Sequence, residues 1–150
     1  MSWMDVYRQR VTTAEGAVSR VHSGQRVFMT GNCAVPQVLM DALVARAPSL
    51  RDVEICNILT FGPAPAADPA MAGHLRINTM FISDEHRRAV NEGRADFTPA
   101  FLSEVPGLFT SGILPLDAAF VHVSPPDEHG FCSFGVEIST SWTTRAWAGA

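Results

Sequence analysis

At 150 residues, 47% hydrophobic and 17% charged, the chain suffices for one domain burying roughly 68–70% of the surface its unfolded form exposes, so disorder is not the default. Net charge is −4 and all 11 basic residues are arginine; no basic stripe marks a nucleic-acid surface, and without lysine there is no P-loop or Schiff-base chemistry. Three cysteines, Cys33, Cys56 and Cys132, form no close pair and point to a reducing compartment, the cytosol; the amino terminus lacks a signal-peptide core, and no run has membrane-spanning length, so no membrane partner is expected.

In chain order, residues 5–10 predict one or two helical turns. The capping-box pattern Thr12-Thr-Ala-Glu15 opens a second helix through Val21, with Val18 and Val21 facing the core and Gly24 closing it. Residues 26–29 read as a first strand and residues 30–35 as a loop, which Pro36 turns into a helix ended by Pro48. In that helix Leu39, Met40, Leu43 and Val44 make one apolar face. A second strand is expected over 53–59. The Pro/Ala-rich connection that follows is long for a compact domain, so residues 61–72 read as a lid, as packing against a further part of the protein, or as a surface excursion with a short helix near Pro69.

Residues 76–82 predict a third strand, Ser83 or Asp84 caps a helix through Glu92, and residues 95–98 form a short strand. A short helix around Glu104, Leu108 and Phe109 is interrupted by Pro106 and ends at Gly112. Residues 118–123 are a nearly continuous apolar strand, stopped by Pro125 and Pro126, which have no backbone N–H to donate. A further strand over 131–138 and a helix start after Thr140, carrying Trp142 and Trp147, complete the reading. Strands alternating with helices imply right-handed crossovers: an α/β fold with an open, mostly parallel sheet and flanking helices.

Two loops carry the chemistry. In Gly31-Asn-Cys-Ala-Val-Pro36 a strand meets a helix amino terminus, where backbone N–H groups and the helix dipole favour a carboxylate, a phosphate or a developing oxyanion. Beyond residues 118–123, at the carboxyl ends of the strands where α/β sheets bind ligands, stand Ser124, Asp127, Glu128 and His129, with Gly130 for the return. The three charged or ring side chains are consecutive, so they diverge and make no triad. His129 and Cys132 lack a second close pair to complete a zinc site. Cys33 offers a rival: a thiol at a helix amino terminus acting as nucleophile, if one of the five histidines serves as its base. Arg87, Arg88 and Arg94 read as a solvated helix face and its end.

Three long motifs in register, SGQRVFMTGNCAVPQVL at 23–39, GRADFTPAFLSEVPGLF at 93–109 and SPPDEHGFCSFG at 124–135, resemble the amino-terminal half of the acetyl-CoA hydrolase / acyl-CoA:carboxylate CoA-transferase family, which includes 4-hydroxybutyrate and acetate CoA-transferases. The resemblance covers nearly the whole chain. It implies that residues 1–150 are one amino-terminal domain of a CoA-transferase-like protein, incomplete without a carboxyl-terminal half in cis or in trans. The glutamate nucleophile lies in that half, so no catalytic residue is expected here and the chain alone should be inactive. Gly31, Asn32, Cys33, Ala34 and Pro36 become substrate-binding residues; Glu104, Ser124, Asp127, Glu128, His129 and Gly130 become pocket or interface residues. Acyl-CoA and short carboxylates are the implied substrates, with no cofactor beyond coenzyme A, no metal, and room for a homodimer.

Overall fold

The structure, a computed structural model, describes residues 2–136. Five strands form one parallel sheet: β1 (Arg26–Met29), β2 (Val53–Asn57), β3 (Leu75–Thr79), β4 (Asp96–Phe97) and β5 (Ala118–Phe120), in the order β4-β3-β2-β1-β5. Val27 stands opposite Ile55 on one side and Ala118 on the other, so β1 is flanked by strands from both ends of the chain. The helices are α1 (Trp3–Arg10), α2 (Ala14–Val18), α3 (Gln37–Arg46), α4 (Asp84–Asn91) and α5 (Val105–Thr110).

The strand order follows from handedness. The chain steps from β1 to β4 toward one edge, then returns to place β5 beside β1, and right-handed crossovers that run in opposite directions lie on opposite faces. Side-chain alternation agrees. Val27, Met29, Val53, Ile55, Leu75 and Ile77 face one layer with Met40 and Leu43 of α3 and Ala89 of α4. Phe28 and Cys56 face the other layer with Val105 and Phe109 of α5. There the rings of Phe28 and Phe109 meet edge to face, with centroids 5.5 Å apart. Val18 and Val21 are buried as expected, and Arg46 reaches across to donate to both of their carbonyls.

The second face also carries a polar ladder nearer the amino-terminal ends of the strands. Arg26 grips Glu54 with two hydrogen bonds, at 2.9 and 3.0 Å, and Asn78 donates to the same carboxylate at 2.9 Å. Arg76 pairs with Asp96 on the neighbouring strands. Burial works to raise the Glu54 carboxyl, but the hydrogen bonds from Arg26, Asn78 and the Cys56 thiol prevail and hold it below the usual range. Burial pushes the Cys56 thiol far up, which makes it an inert core residue.

Several expectations need correction. The helix after Thr12 spans only Ala14–Val18 and is capped by Thr13, whose hydroxyl accepts the Gly16 N–H. β5 stops at Phe120, three residues early, because Val121 onward has no further strand to pair with. Residues 131–136 form no strand; the rest of that expected strand and the helix start after Thr140 lie outside the described residues. The long connection does carry the short helix expected near Pro69, and it also packs on its own sheet. Short helical turns at Pro65–Ala67 and Pro69–Met71 press Ala66, 3% exposed, into the core and take the place of a crossover helix.

Candidate functional site

The direction of winding reverses between β1 and β5, so the loops leaving these two strands diverge and open a crevice at the carboxyl edge, the usual ligand site of an open α/β sheet. A cavity of about 300 Å³ fills it. Cys33 and Ala34 line it from the β1 side, residues 122–125 from the β5 side, and residues 133–136 from the returning strand of chain.

Local chemistry fixes the β1 loop. Gly31 turns against Leu59, where an added Cβ would lie 2.0 Å from the carbonyl oxygen; only glycine allows that approach. Asn32 is left-handed, with φ 52°, and its N–H donates to Leu59 at 2.6 Å. On the other side Thr30, wholly buried, donates through Oγ1 to the Ala34 carbonyl at 2.6 Å and accepts the His122 N–H at 3.2 Å. One hydroxyl thus ties both walls of the cavity together. Neither Thr30 nor the lining role of His122, Ser133 and Phe134 was anticipated from sequence. The available signal was a hydroxyl at the end of an otherwise apolar strand, where a buried polar group must find partners.

The backbone donors are fewer than the motif suggests. The amides of Asn32, Ala34 and Gln37 are taken by the carbonyls of Leu59, Gly31 and Val35. Those of Gly31, Cys33, Val35 and Val38 donate to no acceptor among the described residues, and of these four only Cys33 lines the cavity, so its N–H is the backbone donor best placed for an anion there. Pro36 is the residue before α3 and contributes the bend, with no side-chain cap.

The acidic loop is organised by its own backbone. Of Ser124, Asp127, Glu128, His129 and Gly130, only Ser124 lines the cavity. The Asp127 carboxylate accepts the N–H groups of His129 and Phe131, at 2.8 and 2.9 Å, as a local turn. Glu128 and His129 approach each other at 3.6 Å on the open surface. Gly130, with φ 87°, lies under the ring of Trp3 from α1, which a Cβ would meet at 2.8 Å. The loop is therefore a brace on α1, closed where the Ser124 N–H donates to the Ser133 carbonyl. Glu104 is exposed at the start of α5, accepts the Phe101 N–H at 3.1 Å, and does not line the cavity.

Arg94 is no solvated cation: it pairs with Glu92 and donates to the Ala67 carbonyl. It borders a larger concavity of about 380 Å³ between the proline-rich connection and α4. There Arg88 and Arg94 both already pair with Glu92, and the cleft lies away from the switch between β1 and β5; the smaller cavity is the better candidate site. Among the described residues no three His, Cys, Asp or Glu side chains converge as metal ligands, and no helix is long and apolar enough to cross a membrane.

The fold and site define an α/β domain with a doubly wound parallel sheet and a small, mostly apolar crevice between two clamped loops. The chain belongs to the family described as the acetyl-CoA hydrolase/transferase N-terminal domain, whose model matches residues 1–148. It is 40% identical over 136 residues to the 4-hydroxybutyrate coenzyme A transferase of Clostridium kluyveri, covering 91% of this chain and 32% of that protein. It is 41% identical over 120 residues to the succinyl-CoA:acetate/propanoyl-CoA:succinate CoA transferase of Fasciola hepatica, covering 79% and 25%. The crystal structure of RipA from Yersinia pestis superposes with a TM-score of 0.86 at 26% identity, covering 97% of this chain and 36% of RipA. The chain thus spans about a third or less of the length of these relatives.

Proposed function

We propose that residues 1–150 form the amino-terminal domain of an enzyme that moves coenzyme A between an acyl thioester and a short carboxylate in the cytosol, with coenzyme A as substrate and no further cofactor. The observation that carries this reading is the cavity at the β1/β5 switch point in a chain that belongs to this family. In this reading the acyl group enters the cavity with its carbonyl oxygen toward the Cys33 amide. A glutamate from the remaining part of the family's chain, in cis or in trans, attacks the carbonyl carbon. The carbon–sulfur bond breaks, coenzyme A leaves as thiolate, and a mixed anhydride remains on the glutamate. The thiolate then attacks the glutamyl carbonyl, releasing the first carboxylate and leaving a glutamyl thioester for the acceptor. Charge on the acyl oxygen rises at each attack on the acyl carbon, and one preorganised donor there is worth about 3 kcal/mol.

The test is exchange of labelled acetate into acetyl-CoA. The domain joined to the rest of its family's length should catalyse it, and residues 1–150 alone should not. Exchange by the isolated domain would place the nucleophile in this chain, and Glu104→Ala would then be the first variant to examine. Retention of all activity after alkylation of Cys33 in the joined protein would remove the alternative in which that thiol is the nucleophile.

A further inference from the structure

We propose that the β1/β5 cavity selects acyl groups that carry no second carboxylate, with Cys33 and His122 setting the polarity of its floor; the assignment rests on the transferase reading above. Relatives named for a monocarboxylate and for succinate match this chain about equally well, at 40% and 41% identity, so kinship leaves the choice open.

The lining decides it. Ala34, Val123, Pro125, Phe134 and Val136 supply apolar walls, and among the described residues no arginine, aspartate or glutamate reaches the cavity. A terminal carboxylate laid against these walls would meet no cation and give up part of its hydration, which is unfavourable unless several donors meet it. The arginines of the sheet and its flanks are engaged elsewhere: Arg26 with Glu54, Arg46 with the carbonyls of Val18 and Val21, Arg76 with Asp96, and Arg94 with Glu92. The hydroxyls are engaged too. Ser124 Oγ donates to the Pro125 carbonyl and accepts the Ser133 N–H, while Ser133 Oγ accepts the Gly135 N–H. What remains is the Ser133 hydroxyl proton, the imidazole of His122 and the thiol of Cys33, with the Cys33 N–H already assigned to the acyl oxygen. Together they suit a hydrocarbon end or a single terminal hydroxyl.

The experiment compares acceptors in the complete enzyme, with acetyl-CoA as donor and butyrate, 4-hydroxybutyrate and succinate as acceptors. Both monocarboxylates should show kcat/KM on the order of 100-fold above succinate. Cys33→Arg, which places a fixed cation on an exposed position of the loop, should raise the succinate-to-butyrate ratio at least about tenfold, and Cys33→Leu, which narrows the cavity, should favour acetate over butyrate. Succinate used within tenfold of butyrate by the unaltered enzyme overturns the assignment while leaving the transferase reading intact, and so does a Cys33→Arg enzyme whose acceptor ratio is unchanged. No transfer to any of the three acids, or to acetate, overturns the transferase reading and this assignment with it.

Discussion

Thr30 shows how much of a site can depend on one hydroxyl. Its Oγ1 holds the Ala34 carbonyl and the His122 N–H, and both of those backbone groups come from walls of the cavity. Thr30→Val keeps the shape and removes both bonds, leaving buried polar groups unmatched at a cost of about 1–3 kcal/mol. The urea midpoint should fall accordingly, and Thr30→Ser should recover most of the loss; a Thr30→Val protein as stable as the parent contradicts the clamp. Gly31 carries the opposite constraint, since the Leu59 carbonyl occupies the place of any Cβ. Gly31→Ala forces the loop away from β2 and should cost about 2 kcal/mol, or about 4–8 °C in Tm for a domain of this size. In the complete enzyme it should also lower kcat by about 100-fold if the Cys33 amide serves the acyl oxygen.

At the level of elements, what the sequence revealed depended on how local the cause was. β1 spans the expected residues because apolar side chains on both faces need only the neighbouring strands. α3 is bounded by two prolines at its flanks, which act within one turn. β5 was overextended because its pairing depends on where β1 ends, a long-range fact invisible in residues 118–123. The Asp127-Glu-His-Gly130 run mixes both kinds of cause: its turn is closed by its own backbone, while its packing depends on the distant Trp3 ring. The cavity was half legible. Gly31 to Pro36 announced a turn before a helix, but His122 and Thr30 become site residues only once the winding reverses. Helix α4 adds a test by pH. His86, 1% exposed, has an Nδ1 without a hydrogen-bond partner among the described residues, and burial lowers its pKa despite the opposing charge of Glu85. A base whose folded pKa is depressed stabilises the fold above its unfolded value of about 6.5, and that contribution is lost as pH falls from there through the folded value. Glu54, also held low, adds a second loss below the usual carboxylate range. Stability by denaturant titration should therefore decline in two stages on acidification, and His86→Leu should remove the first; a single decline confined to carboxylate pH in the parent would falsify the buried-neutral assignment.

The molecule as a whole is unevenly covered. Its helix layers bury both faces of the sheet around the core, yet the carboxyl edge presents large apolar side chains on successive loops: Phe61 after β2 at 59% exposed, Phe81 after β3 at 40%, and Phe101 and Leu102 after β4 at 76% and 49%. Phe61 N–H donates to Asn32, Phe81 N–H to Ile58, and Thr98 N–H to Thr79, so the backbone pairing continues past the strand ends beneath this row. Large apolar side chains exposed in this number at one edge offer an apolar surface to a partner. The 150-residue chain by itself should consequently bind a hydrophobic dye and self-associate at micromolar concentration. Replacing Phe61 and Phe101 together with serine should suppress both effects and leave Tm within about 2 °C, because neither ring is buried in the domain. If the unaltered chain sediments as a dye-silent monomer, the row is not an open apolar surface; if the double variant unfolds instead, the two rings support the domain's own core.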